Sequence, residues 1–294
     1  MQTTQQLFAE IAQRLTLLPK ALPLSYSKAK ALLGCGRRYC KTYLDKGTKG
    51  TPFDPSPAIV GKFVHGVLEA CVKRTMIFGI SEEAADFDKV WGDLYHGYSL
   101  TLEEKDLLEP LRGPTERTLK RVLAMASRYQ LQLYPEQMFV LARNGKGMPA
   151  CGWKDRLLYG YQDLKALNAP RTQAVIVDYK SHAPTEENQS AADVQTQIYA
   201  LATFLQHPQV QKVQAGGAFI PAEEIILTTY TRDRLGELAS SVLGFLEDFI
   251  EKHPKEGEVF EACPGKACEW CNFTEGCPEG QNYLSKKKKR SRTK

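Results

Sequence analysis

The tightest constraint on this chain is a short apolar run that ends in opposite charges. Residues 174–181 read AVIVDYKS. Alternation along a strand sends Val175, Val177 and Tyr179 to one face and Ile176, Asp178 and Lys180 to the other. A carboxylate and an ammonium then sit side by side on a strand otherwise fit for burial. Burying them is costly unless they pair or bind something. A plain ion pair at a strand end would satisfy both. A second carboxylate widens the reading: Asp155 lies in GWKDRLL, inside a predicted strand over 150–160 that is joined to the next by a short connection. Two carboxylates converging on one point repel unless a cation stands between them. Such oxygen-rich sites suit Mg2+ or Mn2+. A lysine beside them can orient a metal-bound water or stabilise developing negative charge, which is equipment for metal-assisted phosphodiester hydrolysis.

The surrounding pattern is α/β. Val60, Phe63, Val64, Val67 and Cys71 form an apolar stripe at helical spacing over 57–74. Residues 81–134 read as helix in several pieces, the clearest marked by Leu119, Val122, Leu123, Ala126 and Tyr129 and stopped before Pro135. Strands are predicted over 137–143, 150–160, 173–181, 213–220 and 224–231, and helices over 189–206 and 232–252. That order suits one domain with a central sheet and a helical insertion before it. Gln195 and Tyr199 share a face of the 189–206 helix, and His65 and Glu69 have the same spacing on the first helix. Taken singly, each pair has an ordinary packing or surface explanation.

Composition narrows the classes. With 294 residues, 43% hydrophobic and 10% aromatic, the chain can bury a core without disulfide staples and is not disordered throughout. No run of eighteen apolar residues is present, so no membrane partner is expected. The first residues lack the basic flank and greasy core of a signal peptide, which makes a cytoplasmic location the expectation. Eight cysteines in a reducing compartment then point to metal or cluster chemistry before disulfides. The net charge of +5 is a tail effect: residues 285–294 carry seven basic residues and no acid. A solvated, disordered tail and a phosphate-seeking arm both fit that run.

Taken together, His65, Asp155, Asp178-Tyr179-Lys180 and Gln195-xxx-Tyr199 occur in the order of the RecB-type branch of the PD-(D/E)xK nucleases. GKFVHGVLE resembles that family's helical histidine motif and GWKDRL its G-x-x-D-R motif. VIVDYKS is similar to its hydrophobic-D-x-K strand, and QTQIYAL to its Q-x-x-x-Y helix. Lys154 stands where the family name implies a proline, a position that RecB-type members often vary. The resemblance implies a restriction-endonuclease-like core, a central mixed sheet flanked by helices. It implies a divalent metal, Mg2+ or Mn2+, held by His65, Asp155, Asp178 and the backbone carbonyl of Tyr179. Lys180 is then the catalytic lysine, and Gln195 and Tyr199 shape the site or steady the DNA strand.

Four cysteines near the end, Cys263, Cys268, Cys271 and Cys277, have the spacing C-x4-C-x2-C-x5-C. By themselves they make a local zinc cage, and the first three also mimic plant-type ferredoxin spacing. The resemblance favours another set. RecB-type nucleases that carry an iron–sulfur cluster, such as the AddB subunit and the CRISPR-associated exonucleases, use one N-terminal cysteine and three C-terminal ones. Ser25-Tyr26-Ser27 leading to Cys35-Gly-Arg37-Arg38-Tyr39 is similar to the N-terminal phrase. The implied ligands of a [4Fe–4S] cluster are Cys35, Cys268, Cys271 and Cys277, which leaves Cys40, Cys71, Cys151 and Cys263 as ordinary small residues.

The expected organisation is a single nuclease domain over 1–284. It comprises a helical part (57–134), a sheet core (135–252) and a cysteine-rich segment (260–280) that makes no core of its own and docks with Cys35. A disordered basic tail follows over 285–294. The expected activity is metal-dependent exonuclease hydrolysis of single-stranded DNA or DNA ends, in recombination, repair, or phage or CRISPR DNA processing. The rival is a non-catalytic iron–sulfur, nucleic-acid-binding subunit of a larger helicase–nuclease or adaptation complex. No P-loop occurs in this chain, so a helicase or recombination motor would be a separate partner. An oligomer is compatible with the sequence.

Overall fold

The structure is a computed structural model that describes residues 24–45, 56–143, 156–184, 186–254 and 258–292, with the isolated positions 6, 10 and 13. In chain order the elements are α1 (Tyr26–Gly34), α2 (Gly36–Tyr39), α3 (Ser56–Phe78), α4 (Glu82–Ala85), α5 (Phe87–Gly97), α6 (Leu102–Arg128), β1 (Leu131–Arg143), β2 (Arg156–Asn168), β3 (Gln173–Lys180), α7 (Glu186–Gln206), β4 (Lys212–Phe219), β5 (Glu224–Thr231), α8 (Leu235–Lys252) and α9 (Pro278–Arg292). None of the helices among the described residues is long and apolar enough to cross a membrane.

The strands form one mixed sheet in the order β1-β2-β3-β4-β5. β2–β3 and β4–β5 are antiparallel, whereas β3 and β4 run parallel. The parallel pair requires a crossover, and α7 supplies it. The chain divides into two compact units.

The first unit comprises Ser56–Phe139 and Gly160–Val242. Its core joins the α3 stripe (Val60, Phe63, Val64, Val67, Cys71) and Leu119, Val122, Leu123 and Ala126 of α6 to Leu164, Ala166, Val175, Val177 and Tyr179 of the sheet. The predicted alternation of β3 therefore holds. α6 starts with a capping box, in which Glu104 receives the Thr101 N–H at 2.8 Å and the Thr101 hydroxyl receives the Glu104 N–H at 3.2 Å. This explains a glutamate that is almost fully buried. Residues 131–134, expected as the end of a helix, instead open β1, because Leu131, Leu133 and Pro135 are buried on a two-residue period. Tyr129 falls just beyond α6 and is exposed, outside the core expected for it.

Gly216 and Gly217 fit β4 between two neighbours. A Cβ at Gly216 would lie 1.8 Å from the carbonyl oxygen of Ile226, and Gly217 sits in register with Asp178.

The second unit comprises the described parts of Gln5–Pro55, Val140–Tyr159 and Leu243–Lys294. It has an apolar centre built around Tyr39. Tyr39 is fully buried, with its ring centroid 5.8 Å from Phe260 and 6.0 Å from Phe249. Burial pushes its phenol up to about 12. The Arg37 N–H donates to Glu261 O at 2.9 Å, tying the N-terminal cysteine phrase to the C-terminal one. The basic run expected as disordered is helical through Arg292. Pro278 pre-sets the first turn, Glu279 lies at the positive end of the helix dipole and the lysines follow toward the negative end. Lys287 is also anchored to Glu269 at 2.6 Å.

Candidate active site and cysteine cleft

β3 brings Asp178, Tyr179 and Lys180 to one end of the sheet, and α3 and α7 bring His65, Gln195 and Tyr199 to the same place. Asp178 is buried. Its Oδ1 accepts Gln195 Nε2 at 2.9 Å and the Tyr199 hydroxyl at 3.1 Å. Its Oδ2 is ion-paired with Lys180. The Gln195 amide also bridges outward, with Nε2 2.7 Å from the Tyr199 hydroxyl and Oε1 accepting Lys180 Nζ at 3.1 Å. The spacing of Gln195 and Tyr199 on one helix face thus clamps one carboxylate and one ammonium.

The described partner of Asp178 is a carboxylate the sequence reading passed over. The β2–β3 register ends at Leu164↔Val177. At the next residue, Asp163, a carboxylate continues where the backbone ladder stops: Oδ2 accepts the Tyr179 N–H at 2.7 Å. The same Oδ2 lies 3.3 Å from His65 Nδ1. The expected ligand Asp155 and the predicted strand residues 150–155 lie outside the described residues. A signal for Asp163 was present: Gly160-Tyr161-Gln162-Asp163 repeats the G-x-x-D phrase of residues 152–155.

The electrostatics are those of crowded acids. Burial, and then the neighbouring Asp163, push the Asp178 carboxyl above the usual range, against the pull of Lys180 and His65. Burial alone would lower His65, but hydrogen bonding and charge from Asp163, with help from Asp178 and the Tyr179 backbone, raise it overall. Glu136, held at φ 49° in β1, is raised by burial and by Asp163 and Glu69. Among the described residues, no three His, Cys, Asp or Glu side chains already stand at finished metal geometry. Protein donors hold the carboxylates instead. Two carboxylates, an imidazole and a nearby backbone carbonyl are nevertheless a donor set suited to a hard divalent cation.

In the second unit, Cys35, Cys263, Cys268, Cys271 and Cys277 line one cleft with Gly280. A Cβ on Gly280 would stand 3.5 Å from Cys277 Sγ and 3.6 Å from Cys268 Sγ, so glycine keeps the cradle open. Backbone N–H groups point at sulfur: Cys263 N to Cys35 Sγ and Gly265 N to Cys268 Sγ, each 3.4 Å. Arg37 donates to Cys277 Sγ at 3.7 Å and grips Glu279 at 2.5 and 3.0 Å. Cys71, by contrast, is buried in the core of the first unit, and its thiol is pushed up to about 12. Cys151 lies outside the described residues.

A mixed sheet whose strand end presents D-x-K, closed by a histidine helix and a Q-x-x-x-Y helix, defines a nuclease-type hydrolytic site. The sequence matches the PD-(D/E)XK nuclease superfamily over residues 23–278, and the chain belongs to that superfamily. A solved structure of a candidate exonuclease from Eubacterium rectale aligns with 91% of this chain and 97% of its own, at 11% identity and a TM-score of 0.38. No curated protein matches the sequence.

Proposed function

We propose that this chain is a metal-dependent DNA exonuclease of the RecB type that carries an iron–sulfur cluster. The observation that supports it most is the clamp on Asp178, with Lys180, Gln195 and Tyr199 on one side and Asp163 and His65 on the other. Its residues would hold Mg2+ or Mn2+ through Asp178, His65 and the Tyr179 carbonyl, with Asp155 or Asp163 as the second carboxylate. A divalent ion bound there supplies polarisation of the scissile phosphate and a water of lowered pKa. Lys180, steered by Gln195, holds the attacking water or neutralises charge on the phosphate. Tyr199 and Gln195 keep the Asp178 carboxylate pointed inward. The substrate is single-stranded DNA or DNA ends, in recombination, repair, or phage or CRISPR DNA processing, and a helicase or recombination partner would be a separate chain.

The cysteine cleft would hold a [4Fe–4S] cluster through Cys35, Cys268, Cys271 and Cys277, a ligand set supported by their lining of one cleft. Bound there, the cluster supplies a cross-link between sequence-distant segments, a structural task that closes a long loop.

Incubating anaerobically purified protein with end-labelled single- and double-stranded DNA and Mg2+ or Mn2+ tests this reading. Progressive, metal-dependent shortening from an end is expected, and it should disappear in Asp178→Ala and Lys180→Ala while the brown chromophore stays. Full activity in both variants removes the proposed chemistry.

A further inference from the structure

We propose that α9 is a second nucleic-acid contact, which binds the phosphate backbone of a DNA strand through Lys286, Lys287 and Lys288. The choice of DNA as the polyanion rests on the nuclease reading above.

The charge is concentrated here. α9 carries six Lys or Arg residues and one acid, Glu279, and so accounts by itself for the chain's formal charge of +5. Lys286, Lys287 and Lys288 are all exposed. With about 3.6 residues per turn, three consecutive lysines fan over roughly 200° of the helix surface. That spread suits a chain of phosphates better than one counter-charge.

The helix is also firmly based. The Gln281 N–H donates to Cys277 O at 3.0 Å, Gly280 is buried against the Cys268 and Cys277 sulfurs, and Arg37 holds Glu279. Lysines on a fixed helix lose less conformational freedom on binding than lysines on a coil. Like charges at helical spacing repel. Glu269 pairs with Lys287, and a phosphate chain offsets the repulsion along the run while releasing counterions. An anionic membrane surface fits less well. Interfacial helices expose an apolar face, whereas Tyr283 and Leu284 of α9 are half-buried within the protein.

The test uses the full-length protein with all three lysines changed to Gln, beside a triple Lys→Arg control. Binding of a fluorescein-labelled oligothymidylate is followed by anisotropy over a KCl series in EDTA. Loss of three contacts should flatten the slope of log K against log salt by about 2, at ~0.7 per phosphate on single strands. The Arg control should keep the wild-type slope, which separates charge loss from misfolding. An unchanged slope in the Gln variant overturns the proposal. So does an unchanged slope with loss of binding to phosphatidylserine vesicles, which would reassign the helix to a membrane. Because binding is read in EDTA, absence of cleavage by the wild type would sink the nuclease reading and leave this measurement standing.

Discussion

The Asp163 carboxylate accepts the main-chain N–H of Tyr179 at 2.7 Å, so a side chain extends the β2–β3 pairing at the point where the acids meet. If Asp163 is also the cation's second acidic ligand, Asp163→Asn lowers Mg2+-dependent cleavage by on the order of 10²–10³. On that assignment alone Asp155→Asn stays near wild type. Initial rates on end-labelled DNA decide, and the reverse ranking returns the ligand role to Asp155.

Asp178 gives a stability signature. Its folded pKa is raised above the usual 3.8 by burial and by Asp163. The folded state then holds the proton more tightly than the unfolded state. The contribution of Asp178 to stability is therefore largest at low pH and is lost as pH rises from 3.8 through the raised value. Urea midpoints in EDTA should show wild type losing stability relative to Asp178→Asn across that window, and Mg2+ should restore it in wild type only. A wild-type-to-variant difference that does not change with pH contradicts the assignment.

Gly216 tests the packing of β4 against β5. An alanine Cβ would meet the Ile226 carbonyl at 1.8 Å, and backbone cannot swing aside as a side chain does. Gly216→Ala should cost about 3–5 kcal/mol or prevent folding. At Gly217 the nearest obstacle is the Phe219 ring at 3.0 Å, so Gly217→Ala should cost clearly less. Thermal melts of the two variants give the comparison.

The cleft distinguishes two cages. Iron and sulfide analysis of anaerobic protein should show loss of the cluster in Cys35→Ala and its retention in Cys263→Ala. The opposite pattern identifies a local four-cysteine site. Arg37→Ala should leave stability nearly unchanged, since the Arg37–Glu279 pair is largely solvent-accessible. It should hasten loss of colour in air, because the Cys277 sulfur loses a donor.

Much of this was readable beforehand, for local reasons. The AVIVDYKS alternation, the α3 stripe and the Gln195–Tyr199 spacing are properties of residues two to four apart, and the sheet and helices express them directly. Asp163 was not, because the second strand was expected to end at residue 160. β2 runs on to Asn168, burying Gln162, Leu164 and Lys165. A buried Lys165, 3.3 Å from His207 Nε2, is a tertiary outcome that strand periodicity does not foretell. The α9 helix was missed for a related reason. A run of lysines looks solvated until one sees Pro278, Glu269 and Arg37 fixing its base.

The cysteine cleft also has a consequence for synthesis. Arg37 and its sulfur acceptor Cys277 are 240 residues apart. At about 5–20 residues per second, a ribosome takes roughly 10–50 s to deliver the second after the first. Throughout that interval Cys35 waits on the nascent chain without its C-terminal companions. On the cluster reading proposed above, loading can be completed only after all five strands of the sheet have been synthesised.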